Sequence, residues 1–180
     1  MKIKQVILFI VLMLELLLSC SNPLKHTIKE MIGKEIFLTN AIYTKEGQDT
    51  VDFDIDKYEY KVLTYVGSSG CTSCMMKLAE WEKYIARNDS LFPGKVGYIF
   101  CYSSKSLQTV RYLLSQNQFN YPVYIDTAES FAHINSIPDN YMLQTFLLNG
   151  DNKIIAVGNP IINKNIEKLY DRILSNSSSE

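Results

Sequence analysis

The stretch that decides the fold is Val62-Leu63-Thr64-Tyr65-Val66-Gly67-Ser68-Ser69-Gly70-Cys71-Thr72-Ser73-Cys74. Its first half is apolar and β-branched, which predicts a strand, and the small residues that follow predict a tight loop. Beyond it, apolar residues recur at helical spacing and predict an amphipathic helix of about four turns. The cysteine pair therefore lies at a helix N-terminus, where unpaired N–H groups and positive partial charge favour a thiolate. The stripe that predicts this helix is Cys74, Leu78, Trp81 and Ile85.

The remaining elements continue an alternation of strands and helices. Asn149-Gly150 predicts a hairpin turn between the last two strands. The order predicts an α/β fold with a mixed central sheet, helices on both faces and an N-terminal β extension. Strands are predicted at residues 60–66, 96–102, 121–125, 144–148 and 153–157, and helices at 107–116, 128–134 and 160–174. Weaker patterns predict strands at 35–39 and 41–43, a turn at 47–49 and a surface strand or loop at 52–59.

Composition excludes one class of partner. The chain has 180 residues, of which 47% are hydrophobic and 21% are charged, and its formal net charge is −1. This balance is typical of a single globular domain. Because no block of lysine or arginine offers a phosphate-binding surface, we expect no nucleic-acid partner.

The N-terminus has the features of an export signal. Lys2 and Lys4 precede an apolar run at residues 6–18, which is shorter than the roughly 20 residues that a membrane-spanning helix needs. The run ends at Ser19-Cys20 and resembles the bacterial lipoprotein signal, in which a small residue precedes a cysteine that is lipidated. This resemblance implies a signal peptide at residues 1–19 and a lipidated Cys20 that begins a tether over 20–32. An ordinary cleavable signal peptide and an N-terminal anchor helix are the alternatives.

Two further motifs lead to a family. They are Tyr121-Pro122-Val123-Tyr124-Ile125-Asp126 and Thr145-Phe146-Leu147-Leu148-Asn149-Gly150-Asp151-Asn152-Lys153-Ile154-Ile155. With the Cys-x-x-Cys after the first strong strand, they resemble the thioredoxin fold, and most of all the larger extracytoplasmic thioredoxin-like oxidoreductases. The resemblance covers residues 33–174 and implies an inserted β/α element between the two halves of the fold. Residues 175–180 are predicted to be a disordered tail.

The cysteine pair is the predicted catalytic site. Cys71, at the exposed end of the motif, is the predicted nucleophile, and Cys74, one turn on, is the predicted resolving thiol. The hydroxyls of Thr72 and Ser73 could donate hydrogen bonds to the Cys71 sulfur. The residues predicted to line the site are Gly70, Thr72, Ser73 and Leu143.

Three features depart from the family pattern. Leu143 occupies the slot in which the family has a cis-proline next to the cysteine pair. Gly70 stands where a tryptophan commonly precedes the first cysteine, and Thr72-Ser73 replaces Gly-Pro between the two cysteines. These departures leave the reduction potential and the direction of electron flow open.

The pair has two other interpretations, a fixed disulfide or half of a metal site. A zinc site needs about four ligands, and only Cys101, His26 and His133 could complete one, none with a paired spacing. We therefore predict no metal and no cofactor. Cys101 is predicted to be a small buried hydrophobe on an interior strand, with a third redox thiol as the alternative.

The sequence thus predicts a thiol–disulfide oxidoreductase that is lipid-anchored in the bacterial cell envelope, on the extracytoplasmic, periplasmic side. Its predicted partners are cysteine-containing envelope proteins or a membrane electron donor, and the membrane itself through the lipid anchor. The alternative is a non-catalytic binding lipoprotein of the same fold, in which the cysteine pair forms a structural disulfide.

Overall fold

The structure is a computed structural model that describes residues 23–38, 43–45, 48–49, 54–67 and 76–176. The chain divides into two units, Met1–Met31 and Ile32–Glu180. In the first unit, the described residues form helix α1 (Pro23–Met31) within the stretch predicted to be a tether. No helix among the described residues has both the length and the apolar character needed to cross a membrane. The predicted signal peptide and Cys20 lie outside the described residues.

The second unit is built on a mixed sheet. In its described part, seven strands lie in the order β2-β1-β5-β4-β3-β6-β7. β4 runs parallel to β3 and β5, whereas β6 and β7 are antiparallel to their neighbours. The strands are Tyr43–Lys45 (β1), Gln48–Asp49 (β2), Tyr60–Val66 (β3), Val96–Ser103 (β4), Val123–Asp126 (β5), Thr145–Leu148 (β6) and Ile154–Val157 (β7). The helices are Leu78–Leu91 (α2), Leu107–Gln116 (α3), Phe131–Ile134 (α4), a 3₁₀ turn at Tyr141–Leu143, and Lys164–Asn176 (α5).

The central strands are covered on both faces. β3 is buried from its second residue onward and β4 along its whole length, which is why both read as continuous apolar runs. On one face, Trp81 of α2 and Phe119 meet the ring of Phe100 edge-on, at centroid distances of 5.4 and 5.1 Å. On the other face, Phe131 of α4 stacks on Tyr65 at 6.0 Å. The predicted β3–α2–β4–α3–β5 alternation is confirmed.

The N-terminal extension differs from its prediction. Residues 35–39 were expected to form a strand, but the described part of this segment makes one isolated bridge, between Glu35 and Lys153. Around that bridge, Gly33 N–H donates to the Ile154 carbonyl at 2.8 Å and thereby covers the outer edge of β7. Gln48–Asp49, predicted as part of a turn, is strand β2 and pairs with β1. Local patterns could not predict the pairing of β1 with β5, because β5 lies about eighty residues away in sequence.

A buried lysine ties the beginning of β3 to two loops. Lys61 has 0% exposure, yet it lies within the most apolar stretch of the sheet. Its Nζ donates to Asp56 Oδ1 at 3.1 Å, to the Gly150 carbonyl at 3.0 Å and to Asn152 Oδ1 at 2.6 Å. Three acceptors match the three N–H donors of an ammonium group, so the buried charge is fully hydrogen-bonded.

Candidate functional site

A small crevice lies where β3 ends, beside the start of α2. Its volume is about 60 Å³, and it brings together segments that are far apart in sequence. They are the end of β3, the residue before α2, the turn before β6 and the loop before α5. The lining residues are Thr64, Tyr65, Val66, Lys77, Tyr141, Gln144, Thr145, Asn159 and Ile162.

The turn before β6 is fixed to the end of β3. Tyr65 N–H donates to the Gln144 carbonyl at 2.8 Å. Beside this bond, the hydroxyls of Thr64 on β3 and Thr145 on β6 share a hydrogen bond of 3.0 Å. The Gln144 amide donates in turn to the Pro138 carbonyl at 2.8 Å, which closes the loop on itself. This wall of the crevice is therefore held by both backbone and side-chain bonds.

Leu143, predicted to line the site, ends the 3₁₀ turn in this wall. Its side chain is 4% exposed, and the side chain of Asn140 caps the turn by accepting from Met142 N–H at 3.1 Å. The crevice is lined instead by its neighbours Tyr141 and Gln144. No cis peptide bond occurs in the described part of the chain.

Lys77 forms the opposite wall and has an unusual backbone. It occupies the N-cap position of α2 with φ 46° and ψ 45°, the left-handed region, and makes no side-chain cap. A non-glycine residue there costs about 1–2 kcal/mol. Such strain is found preferentially at functional sites, and a cation here adds to the positive end of the helix dipole.

The predicted catalytic pair is not among the described residues. Cys71 and Cys74 belong to residues 68–75, which link Gly67 after β3 to Met76 before α2. Gly70, Thr72 and Ser73 belong to the same segment. Their roles, like the lipidation of Cys20, stay predictions.

Cys101 is placed on β4 opposite Tyr65 of β3. Its side chain is fully buried, as predicted for a small hydrophobe, and its thiol is free. Burial, reinforced by the nearby Asp126 carboxylate, raises the pKa of this thiol well above its usual value. A thiol in this environment stays protonated and is a poor nucleophile.

The structure gives no catalytic position to the other residues that the sequence analysis named. Trp81 is buried and packs against Tyr84 as well as Phe100. Asp126 is buried at the end of β5, and its Oδ2 accepts from the N–H of Phe131, the first residue of α4, at 2.8 Å. His133 lies at the surface. Nowhere in the described part of the chain do three His, Cys, Asp or Glu side chains gather as a metal site.

Comparison with solved structures identifies the fold of this chain. The chain is similar to the thioredoxin domain of a thiol-disulfide oxidoreductase from Bacteroides vulgatus, with a TM-score of 0.56 and 13% identity over 77% of this chain and 96% of that one. The fold is thioredoxin-like. The predicted fold class is thereby confirmed.

Two other solved structures give the same result. AhpC of Enterococcus faecalis matches with a TM-score of 0.57 and 11% identity, over 83% of this chain and 97% of that chain. An uncharacterized thioredoxin-like protein from Porphyromonas gingivalis matches with a TM-score of 0.53 and 16% identity, over 82% and 97%. No protein-family model and no curated protein matches the sequence. At these identities the similarity establishes the fold, and function has to be argued from the site.

Proposed function

We propose that this thioredoxin-like chain is a thiol–disulfide oxidoreductase that uses Cys71 and Cys74. The observation that carries the proposal is the position of Cys71-Thr72-Ser73-Cys74 in the chain, between the end of the central strand β3 and helix α2. The crevice at this end of the sheet, lined by Lys77 and the turn before β6, supports it. A cation and a helix N-terminus both favour the thiolate form of a nearby cysteine.

The proposed reaction is a two-electron exchange. The Cys71 thiolate attacks one sulfur of a partner disulfide, which breaks the partner's S–S bond, forms a mixed disulfide and releases the first partner thiolate. Cys74, once deprotonated, then attacks the Cys71 sulfur. This forms the Cys71–Cys74 disulfide and releases the second partner thiolate, so the partner is reduced and the pair oxidised. The reverse sequence of steps oxidises a partner dithiol.

The buried Cys101 is given no part in this exchange. Its raised pKa disfavours the thiolate that disulfide exchange requires. Cysteine-containing envelope proteins are the proposed substrates, and a membrane electron donor is the proposed source of electrons when the chain acts as a reductant.

We further propose that Cys20 carries the lipid that anchors the protein on the extracytoplasmic side of a bacterial membrane. The support is the order of two lysines, an apolar run and Ser19-Cys20 at the N-terminus. A Cys20→Ser variant expressed in a bacterium should move from the detergent phase to the aqueous phase on phase partitioning, because it lacks the acyl chains. Unchanged partitioning of this variant beside a Ser21→Ala control would contradict the anchor.

The reduction potential of the Cys71–Cys74 pair is the experiment that tests the proposed activity. An exchange-active pair is expected between about −270 and −120 mV, whereas a structural disulfide lies below about −300 mV. The potential is measured by equilibration with glutathione buffers, with Cys101→Ala as the control that should leave it unchanged.

The second candidate, a non-catalytic binding lipoprotein, makes the opposite prediction. It is favoured by one observation, that Leu143, which the resemblance assigns to the proline slot of the family, is buried in the wall of the crevice. A potential below about −300 mV, together with resistance to glutathione, would establish this candidate and rule out the exchange activity.

A further inference from the structure

A second cavity lies at the opposite end of the sheet, where β3 and β4 begin. Its volume is about 240 Å³, four times that of the crevice, and we call it the basal cavity. It shares no lining residue with the crevice, so the proposed thiol chemistry leaves it unexplained. The lining residues are Tyr58, Asp89, Gly94, Val96, Gly97, Tyr98, Tyr121 and Pro122.

The basal cavity exists because two neighbouring strands do not pair along their full length. Pairing between β4 and β5 begins at Phe100 and Val123. The first residues of β4, 96–98, pair with β3 on one side and face the chain before β5 on the other. Pro122 precedes β5 and has no N–H with which to extend the ladder. The gap between β4 and Tyr121-Pro122 is part of the cavity.

Gly97 allows an aromatic ring to form one wall. A Cβ atom at this position would lie 2.6 Å from both Ile55 Cδ1 and Tyr58 Cδ2, which is closer than non-bonded carbon atoms approach one another. The absence of a side chain therefore lets the Tyr58 ring lie against the strand. The same ring already has an ammonium group over it, because Lys57 Nζ lies 5.1 Å from its centroid. Such contacts are attractive because the face of an aromatic ring carries negative charge density.

Two more tyrosines complete an aromatic lining. The rings of Tyr98 and Tyr121 meet at a centroid distance of 6.4 Å and an angle of 66°. Tyr121 also packs on Phe119, at 5.5 Å, so its ring is supported from the core side. With Tyr58, three electron-rich rings line a single cavity.

The lining of the basal cavity contributes a negative charge, while the ammonium of Lys57 lies over the Tyr58 ring. Among the described residues that line it, Asp89 is the only charged one. Partial burial raises the pKa of Asp89, which indicates a carboxylate that has lost part of its hydration. The pKa of Tyr121 is raised by burial and then by the charges of Asp89 and Glu82. Aromatic faces together with an incompletely hydrated carboxylate favour a cation over a neutral or anionic ligand.

We infer that the basal cavity is a binding site for a small organic cation, whose ammonium group lies beside the rings of Tyr98 and Tyr121 and has Asp89 as its counter-ion. Aromatic rings with a nearby carboxylate suit methylated ammonium groups, because such groups are large, weakly hydrated and attracted to ring faces. The inference stands independently of the thiol chemistry.

The experiment compares two ligands of the same shape and different charge. Choline carries a trimethylammonium group, and 3,3-dimethyl-1-butanol replaces its nitrogen with carbon and is neutral. Binding of each to the full chain is measured by calorimetry or by shifts of the tyrosine ring signals in NMR. We expect choline to bind about tenfold more tightly than the neutral isostere. Equal affinities, or no detectable binding of choline, would overturn the inference.

Two variants and a control locate the site. Asp89→Asn removes the counter-ion at an exposed helix position and should weaken choline binding about fivefold, with little effect on the isostere. Tyr121→Leu should weaken choline binding and leave the fold intact, as thermal unfolding will verify. Asp151→Asn makes the same chemical change in the β6–β7 turn and should have no effect. If Asp89→Asn and Asp151→Asn bind choline equally, the basal cavity is not the site.

Discussion

A Cys74→Ser variant is expected to accumulate a stable mixed disulfide with its protein partners, whereas Cys71→Ser is expected to form none. In the proposed exchange, Cys71 makes the first bond to the partner and Cys74 breaks it. Removing the second thiol stops the reaction at the intermediate, and removing the first prevents it from starting. Turnover of a test disulfide should fall to the uncatalysed rate in both variants.

The trapped species can be detected directly. Non-reducing electrophoresis of membranes from cells that express Cys74→Ser should reveal adducts that disappear with reductant. Cys101→Ser is the matched control, because it removes a cysteine that is buried and protonated, and it should resemble the unmodified chain. Adducts of equal abundance in Cys71→Ser and Cys74→Ser would show that Cys71 is not the attacking thiol.

Gly158→Ala is expected to lower the free energy of unfolding by about 3 kcal/mol. Gly158 has φ +128°, a conformation that side-chain-bearing residues rarely adopt, and an added Cβ would lie 2.9 Å from Ile166 Cδ1 on α5. Its backbone cannot move freely, because its N–H donates to the Thr145 carbonyl at 2.8 Å and its carbonyl accepts from the buried Tyr170 hydroxyl at 2.9 Å. Backbone strain and the clash therefore add.

Two further variants separate the two contributions. Gly33→Ala places a methyl group at φ +85° with no atom within 4 Å, and should cost only the backbone strain, about 1–2 kcal/mol. Ile166→Val, combined with Gly158→Ala, removes the nearest clashing atom and should restore part of the loss. Urea unfolding of the unmodified chain, Gly158→Ala, Ile166→Val and the double variant measures this coupling, and the same measurement on Gly33→Ala gives the cost of backbone strain alone. If Gly158→Ala is no less stable than Gly33→Ala, the Ile166 side chain accommodates the added methyl group without lowering the free energy of unfolding.

The central strands could be predicted from sequence because burial on both faces leaves a local signature. Residues 60–66 were predicted as a strand and form β3 at Tyr60–Val66, and residues 96–102 form most of β4 at Val96–Ser103. Continuous apolar runs bounded by turn residues are sufficient for such strands. The helix between them was also predicted, and its stripe residues Leu78, Trp81 and Ile85 are buried in α2, but α2 begins at Leu78, after the left-handed Lys77, whereas the predicted stripe began at Cys74.

The start of the last helix was placed too early. Residues 160–174 were predicted to be helical, but α5 begins at Lys164. Asn163 Oδ1 accepts from Asn165 N–H at 2.9 Å and marks the helix start, while Asn159 Oδ1 accepts from Ile161 N–H at 3.0 Å in the turn before it. Ile162 continued the apolar spacing, yet it lies in this turn and is exposed. Asparagine side chains that compete for backbone N–H groups were the missed signal.

The β6–β7 turn was predicted at the right place for a different reason. Asn149-Gly150 predicted a hairpin turn, because this pair is typical of turns with positive φ at the two central residues. The positive φ, 60°, belongs instead to Asn152. Asn152 N–H donates to the Asn149 carbonyl at 3.1 Å, and Asn149 Oδ1 accepts from Lys153 N–H at 2.9 Å. The turn is therefore closed by a backbone hydrogen bond and by the Asn149 side chain.

The walls of the crevice could not be predicted, because they come from segments that meet only in the folded chain. The sequence directed attention to Leu143, but the neighbouring Tyr141 and Gln144 line the crevice. Which residue of a short turn faces a site depends on how that turn is hydrogen-bonded, here through Tyr65 N–H and the Gln144 carbonyl. The one local signal was Asn140, whose preference for capping positions marks the start of the 3₁₀ turn.

The buried ammonium of Lys61 has a consequence for strand alignment. A slip of β3 by one residue against its neighbours would invert its faces, but a slip by two residues keeps every side chain on its original face. In a strand that is apolar on both faces, hydrophobic burial disfavours a slip by two residues only weakly. Lys61 discriminates strongly, because a displacement of two residues, about 7 Å, would leave its charge buried and away from Asp56, Gly150 and Asn152. The hydrogen bonds of this buried lysine thus fix the register of the central strand.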